Sequence, residues 1–352
     1  VFIDTVDVPL EEPFTIAIGT KYKIENVIIT IRLENGIEGF GEAAPLEPIN
    51  GENRDTVLAA LESCRDFLIG KGISGFRQIS QQLKRVFNVQ ATARCAVEMA
   101  LLDAFSKSLK LPLYVLLGGA EDILETDYTV DIVPALTAHT NAAKLCEKGY
   151  RILKTKVGKN FIEDIDRILA IKHGAPGCRL ILDANQGYTP MQAVRFLKEL
   201  EKKEIIPELF EQPVVKHDIQ GMKFVRDHSI VPIAADETVF TSADALKVVQ
   251  SGCADMINIK LMKSGIVEAL DIVAIAKSAN IGLMIGCMLE TRLGLAASVH
   301  FAAGTGGFSF VDLDPHLDPD KDPFGGGPGF NVPFYTLSEV TKGIGVYRQY
   351  SV

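Results

Sequence analysis

Downstream of Gly118 and Gly119 the chain repeats one texture eight times. Short apolar runs (TDYTVDI, RILKTKV, RLILDAN, PELFEQP, PIAADE, MINIKL, GLMIGC and FSFVDLD) are separated by amphipathic stretches such as EDIDRILAIKHG and MQAVRFLKELEKK. Strands that alternate with helices run parallel, because each crossover returns the chain to the same end of the sheet. Eight of them close into a barrel. An open, doubly wound sheet is the structural rival, but no GxGxxG follows an early strand to support it. No further strand–helix unit follows the eighth strand. The expected fold is therefore α/β, a (β/α)7β TIM-like barrel over residues 119–322. Ahead of it VIITIRL alternates, and Glu34-Asn35-Gly36 leads into IEGFGEAAP, a hairpin signal. DTVLAALESCRDFL and ATARCAVEMALLDAFSKSL then carry apolar residues at three- and four-residue steps. Residues 1–118 read as an α+β domain, to which the tail, 323–352, is expected to return.

The composition, 47% hydrophobic and 23% charged, is that of a soluble globular chain. A net charge of −9 argues against nucleic acid or an anionic membrane as partner, and no apolar run approaches a membrane span. The stretch VFIDTVDVPL has none of the features of an export signal, and the six cysteines include no CxxC pair. A cytoplasmic location with reduced thiols is expected.

Lys156, Asp183, Glu211, Asp236 and Lys260 recur at separations of 27, 28, 25 and 24 residues, each enough for one strand, one helix and their loops. Each lies at or near the C-terminal end of its strand, where barrel active sites are built. Two lysines thus sit on strands two and six, opposite one another, with carboxylates on strands three, four and five between them. Three converging carboxylates repel unless a cation is present, and an all-oxygen set suits a hard divalent ion, Mg²⁺ first and Mn²⁺ as the alternative. A carboxylate bound to such an ion has an acidified α-carbon, because the enediolate formed on proton loss is stabilised. A neutral lysine on one face can take that proton while an ammonium on the other returns one, inverting the carbon. In RILKTKV, Ile152, Lys154 and Lys156 share a face. Lys154 is then the cationic neighbour that favours a neutral Lys156, and it can also hold a substrate carboxylate.

Each residue alone has a bland reading: KxK as a solvated edge pair, Asp183 or Asp236 as a helix cap, Glu211 as a satisfied loop acid, Lys260 reaching out to solvent. Five such residues in that order at successive strand ends are not explained that way. The six histidines are dispersed, and His300, on an apolar helical run, reads as packing.

With KTK, DANQGY, EQP, ADE and NIK in these places, the chain resembles the enolase superfamily, in its muconate-lactonizing subgroup, along essentially its whole length. The resemblance implies that Asp183, Glu211 and Asp236 hold Mg²⁺, that Lys156 and Lys260 are the acid/base pair, and that Asn185 supports the first ligand. It also implies that residues 1–118 cap the barrel, and that the loops FTIAIGTKYK and LEPINGEN close over its mouth. Within the subgroup the chain is most similar to dipeptide epimerases of the Ala-D/L-Glu type. Asp312 and Asp314 in FVDLDP match that family's DxD, which would pair with the α-ammonium of a dipeptide. Where those enzymes carry an arginine for the substrate glutamate, this chain has Gly19, which cannot bind a carboxylate bidentately. A dipeptide with an apolar or small C-terminal residue is the expected substrate, with Met288 and Leu289 as pocket wall. The alternatives are an N-acylamino acid racemase or an o-succinylbenzoate synthase-like enzyme of the same subgroup, and, from another class, a barrel that binds peptides or metabolites without turning them over. A homo-oligomer is usual for barrels of this kind and is expected.

Overall fold

The computed structural model describes residues 1–16, 19–87, 89–315 and 317–349. Strands β1 (Phe2–Ile16) and β2 (Gly19–Arg32) form a long antiparallel hairpin, and β3 (Glu38–Ala43) pairs with the second half of β2. The alternation in VIITIRL is divided between two cores. Val27, Ile29 and Ile31 face a cluster with α1 (Arg54–Leu68), α2 (Phe76–Val86) and α3 (Ala91–Ser108), whereas Ile24 and Ile28 face the main core. Helix α3 is buried almost all round and presses on β3. A Cβ added at Gly39 would stand 2.1 Å from the Ala100 carbonyl oxygen, and one at Gly41 1.9 Å from that of Ala96. Only glycine lets the two backbones approach this closely.

Eight parallel strands form the barrel: β4 (Tyr128–Val130), β5 (Ile152–Lys156), β6 (Arg179–Asp183), β7 (Leu209–Glu211), β8 (Ile233–Ala235), β9 (Met256–Ile259), β10 (Gly282–Gly286) and β11 (Phe308–Asp312). Each of the first seven is followed by a major helix: α4 (Ala135–Lys148), α5 (Phe161–Gly174), α6 (Pro190–Glu201), α7 (Ile219–Asp227), α8 (Ser242–Ser251), α9 (Ile266–Ser278) and α10 (Arg292–Thr305). This is the expected (β/α)7β order. Ile152, Ile181, Leu209, Ala234, Met256 and Met284 fill the floor, while residues of opposite parity such as Leu153, Leu182, Ile257 and Ile285 join the core beneath the helices. At the seam between β4 and β11, Asp127 N–H donates to the Val311 carbonyl (3.0 Å) and Leu313 N–H to Thr126 Oγ1 (3.0 Å).

The tail lies against the N-terminal unit. Ile344 N–H donates to Asp103 Oδ1 (2.9 Å), Leu113 N–H to the Gly343 carbonyl (2.8 Å), and Arg348 pairs with Asp4 (2.8 Å). His300 sits at this junction, its Nδ1 accepting from Tyr114 N–H and its Nε2–H donating to the Ile344 carbonyl, both 3.0 Å. Burial pushes its pKa down to about 4, so it packs as a neutral ring. No helix among the described residues is long and apolar enough to cross a membrane.

Candidate active site

The register of β5 turns Ile152, Lys154 and Lys156 inward. Ile152 belongs to the floor, Lys154 is wholly buried above it, and Lys156 reaches the mouth. Parallel pairing then sets Lys156 beside Asp183 and Asp183 beside Glu211. Lys156 Nζ donates to Asp183 Oδ2 (2.7 Å), and Lys260 Nζ faces Asp236 Oδ2 at 3.0 Å. Lys154 Nζ meets Asp312 Oδ2 (2.6 Å), Glu211 Oε2 (2.7 Å) and Asp183 Oδ2 (3.1 Å). Its charge is therefore directed at three acids, and it links strands two, three, four and eight.

A small cavity opens at the C-terminal end of the barrel, with Lys156 and Lys260 both on its wall. Asp312, Asp314, Thr129, Asn185, Cys287 and Met288 complete the barrel side, and among the described residues the N-terminal unit contributes Phe14, Leu46 and Ile49. The Phe14 ring centroid lies 5.9 Å from Lys156 Nζ. Leu289 stands behind this wall, its carbonyl accepting from Asn26 Nδ2 (2.8 Å). Gly19 pairs with Ile16 at the base of the hairpin tip, with Pro48 3.4 Å from where its Cβ would be.

Burial alone would raise every carboxyl here, and the neighbours decide which group stays charged. Lys156, Lys154 and Lys260 overcome burial and hold Asp183 well below the ordinary carboxylate range. Lys260 and Lys263 do the same for Asp236, and Lys154, Lys260 and Lys156 for Asp312. Glu211, pressed by burial and by Asp183 against the opposing pull of Lys154, is raised to about 7. Lys260 is buried too, but Asp236 keeps it protonated well above the usual lysine range.

Of the residues that support the site, Asn185 is marked by the resemblance, whereas Asn258, Lys263 and Gln212 are not singled out from the sequence. Asn258 Nδ2 donates to Glu211 Oε1 (2.5 Å), Lys263 Nζ to Asp236 Oδ1 (2.6 Å), and Gln212 Oε1 accepts from the N–H groups of Asp236 (2.9 Å) and Thr238 (3.1 Å). Asn185 N–H donates to Asp183 Oδ1 (2.9 Å), and its side chain reaches Glu237 (3.2 Å). The parity of Asn258 with Lys260 in INIK is the one clue that it points inward. Beneath the β5 turn, Arg167 donates to the Lys156 carbonyl (3.2 Å) and pairs with Asp164. Asp164 in turn accepts from Gly158 N–H (2.9 Å) and the Tyr188 hydroxyl (2.7 Å).

Asp183, Glu211 and Asp236 offer oxygens from three adjacent strands, the donor set of a hard divalent cation. Among the described residues, Glu211 Oε2 and Asp236 Oδ2 are buried and accept no hydrogen bond, and each faces an ammonium group. These residues fit Mg²⁺. Among the described residues, the acids whose oxygens already lie within 4.8 Å of one another are a different trio, Asp127, Asp312 and Asp314.

Comparison with known proteins identifies relatives along the whole chain. Residues 1–118 match the N-terminal domain of mandelate racemase and muconate lactonizing enzyme, and residues 137–348 match the enolase C-terminal domain-like family. The L-Ala-D/L-Glu epimerase of Thermotoga maritima is 43% identical over 90% of this chain and 91% of its own. The aromatic dipeptide epimerase of Herpetosiphon aurantiacus is 38% identical over 92% and 91%. The crystal structure of a dipeptide epimerase from Enterococcus faecalis, complexed with Mg and L-Leu-L-Tyr, superposes with a TM-score of 0.95 at 35% identity, covering 99% of this chain and 98% of that one.

Proposed function

The chain belongs to the mandelate racemase and muconate lactonizing enzyme family of the enolase superfamily, and from that premise we propose that it is a dipeptide epimerase inverting the α-carbon of the C-terminal residue. The observation that carries this reading is that Lys156 and Lys260, from opposite strands, line one cavity together with the buried Asp312 and Asp314, while Asp183, Glu211 and Asp236 end the strands on the arc between the lysines. Asp183, Glu211 and Asp236 would hold Mg²⁺. Bound there, the ion would offset the negative charge that builds on the substrate carboxylate as the α-hydrogen leaves. Lys156 takes or gives that hydrogen on one face, and Lys260 does so on the other. Asp312 and Asp314 receive the α-ammonium, and Met288 forms part of the side-chain wall. Asn185 steadies Asp183 through its backbone N–H.

The preferred C-terminal residue is apolar or small. Support comes from Phe14, Leu46 and Ile49, which carry no charge to meet a glutamate, and from Gly19 at the arginine position. Relatives of this chain act on both Ala-Glu and aromatic dipeptides, so the lining itself carries the argument. The division into 1–118, 119–322 and 323–352 is part of the same proposal, supported by the N-terminal match over residues 1–118 and by the tail contacts with Asp103 and Asp4.

The test is a dipeptide library in D₂O with Mg²⁺. Deuterium should enter the α-carbon of the C-terminal residue, fastest for Ala-Xaa with apolar Xaa, and N-acylated analogues should exchange poorly. Fastest exchange with Xaa-Glu would overturn the preference. Exchange of N-acylamino acids alone would point to the racemase, and absence of any exchange to a binding barrel.

A further inference from the structure

The seam between the first and eighth barrel strands carries a carboxyl group that this scheme leaves unused. Asp127, just ahead of β4, is wholly buried, and no donor among the described residues reaches either of its oxygens. Lys154, the nearest cation, makes its contacts with Asp312, Glu211 and Asp183 instead. One oxygen of Asp127 lies within 4.8 Å of one oxygen each of Asp312 and Asp314. An ionised carboxylate with no donor, beside two more carboxylates, carries a desolvation cost that nothing there offsets. A neutral acid has a proton to give, and the Asp312 carboxylate is one of the two acceptors beside it.

We propose that Asp127 is a positioning residue, a neutral acid that donates to Asp312 and fixes its carboxylate between Lys154 and the substrate α-ammonium. The inference rests on the dipeptide reading of Asp312 and Asp314. A charged Asp127 would add a third anion beside Asp312 and Asp314, where Lys154 is already shared with Glu211 and Asp183. The groups facing Asp127 act in the same direction. Burial, then Asp312 and Asp314 from β11 and the turn after it, push its pKa well above the ordinary value, and Lys154 on β5 only partly opposes them. Tyr150, ahead of β5, is also held protonated, by burial first and then by Asp314.

The test compares Asp127→Asn and Asp127→Ala in the Mg²⁺-loaded full-length enzyme, using a free-amine dipeptide. Asparagine still donates an N–H to Asp312, so kcat/KM should stay within about threefold of wild type. Alanine cannot donate, and KM should rise about tenfold or more with kcat little changed. A second readout needs no substrate. In protein labelled with ¹³C at its aspartate carboxyls, one resonance should remain protonated at pH 7 and vanish in Asp127→Asn. The proposal is overturned if asparagine raises KM as much as alanine, or if the resonance lost in Asp127→Asn titrates in the ordinary carboxylate range. It is equally overturned if a second divalent ion per chain is bound by wild type and lost in Asp127→Asn. Asp312→Asn serves as the control for the underlying reading. A tenfold rise in KM supports the ammonium site; an unchanged KM removes that reading, and the carboxyl resonance alone then decides whether Asp127 is the neutral donor.

Discussion

Each charged side chain at the barrel mouth is defined by what faces it. Lys156 and Lys260 are both amines at strand ends, and each touches a carboxylate that a metal would also claim. Replacing either by alanine should lower epimerisation by at least about 10²–10⁴-fold, the usual worth of a general acid or base. Hydrogen exchange should survive on the face served by the remaining lysine, which single-turnover incorporation from D₂O into each enantiomer would read. Asn258 acts at one remove. Its amide is the donor to Glu211 Oε1, so Asn258→Ala should raise the Mg²⁺ concentration needed for half-activation by about 10–100-fold, measured by titrating the ion into metal-stripped enzyme. The five strand-end residues were legible because their spacing follows the period of the barrel. Asn258, Lys263 and Asp127 were not, because an inward polar residue looks the same in sequence whether it touches a ligand, steadies one, or satisfies a buried neighbour. Only cross-strand register, which joins Asp127 to Val311 and Asn258 to Glu211, separates those cases.

At the scale of elements, strands and helices followed from periodicity, but the turns that aim the site did not. Asn185, Gln186 and Gln212 adopt positive φ (38°, 73° and 36°) just beyond β6 and β7, although none is glycine. Hydrogen bonds from distant residues hold these turns in a conformation their own sequence does not favour. Gln186 N–H donates to the Gln212 carbonyl (2.9 Å), and the Gln212 side chain spans to Val214 and Thr238, both 2.9 Å. The β5 turn is governed from outside the barrel by Arg167 and Asp164. Arg167→Met should destabilise the fold by about 3 kcal/mol, because Asp164 keeps a buried charge without its partner. A more specific consequence follows from the bond between Arg167 and the Lys156 carbonyl. Exchange on the Lys156 face should slow by about tenfold relative to exchange on the Lys260 face. Equal slowing of both would mean that Arg167 serves the fold alone. The ratio is insensitive to how much of the variant is folded.

Across the whole molecule, buried acids of the N-terminal unit tie it to the barrel. Glu42 accepts from Thr291 N–H (2.9 Å) and Gly294 N–H (2.8 Å) at the start of α10, and Glu98 accepts from Val267 N–H (2.9 Å) at the start of α9. Nothing in the local sequence marks these acids as ties to the barrel, since their barrel partners lie 169 or more residues away. The junction with the tail adds His300, kept neutral by burial against the opposing pull of the Ile344 carbonyl, with Nδ1 accepting from Tyr114 N–H. Its pKa is lower folded than unfolded, so the unfolded chain takes up the proton first. Stability should therefore fall by about 3 kcal/mol as pH drops from about 6.5 to about 4, and this group should add nothing below that. Denaturant unfolding of wild type and His300→Gln across this range would show the difference, with the slope shallower in the variant.

The contact made by Gly39 and Gly41 divides the molecule's freedom to diverge. Because β3 and α3 touch backbone to backbone, no side chain can be inserted between them, and that seam is closed to variation. Phe14, Leu46 and Ile49 belong to the same unit but face the cavity, away from the seam. Leu46 and Ile49 also belong to the main core, so an exchange there must keep apolar bulk. A scaffold arranged this way can change diet by altering a few loop positions, and relatives with the same architecture but named for glutamate or for aromatic dipeptides are what such a separation would produce.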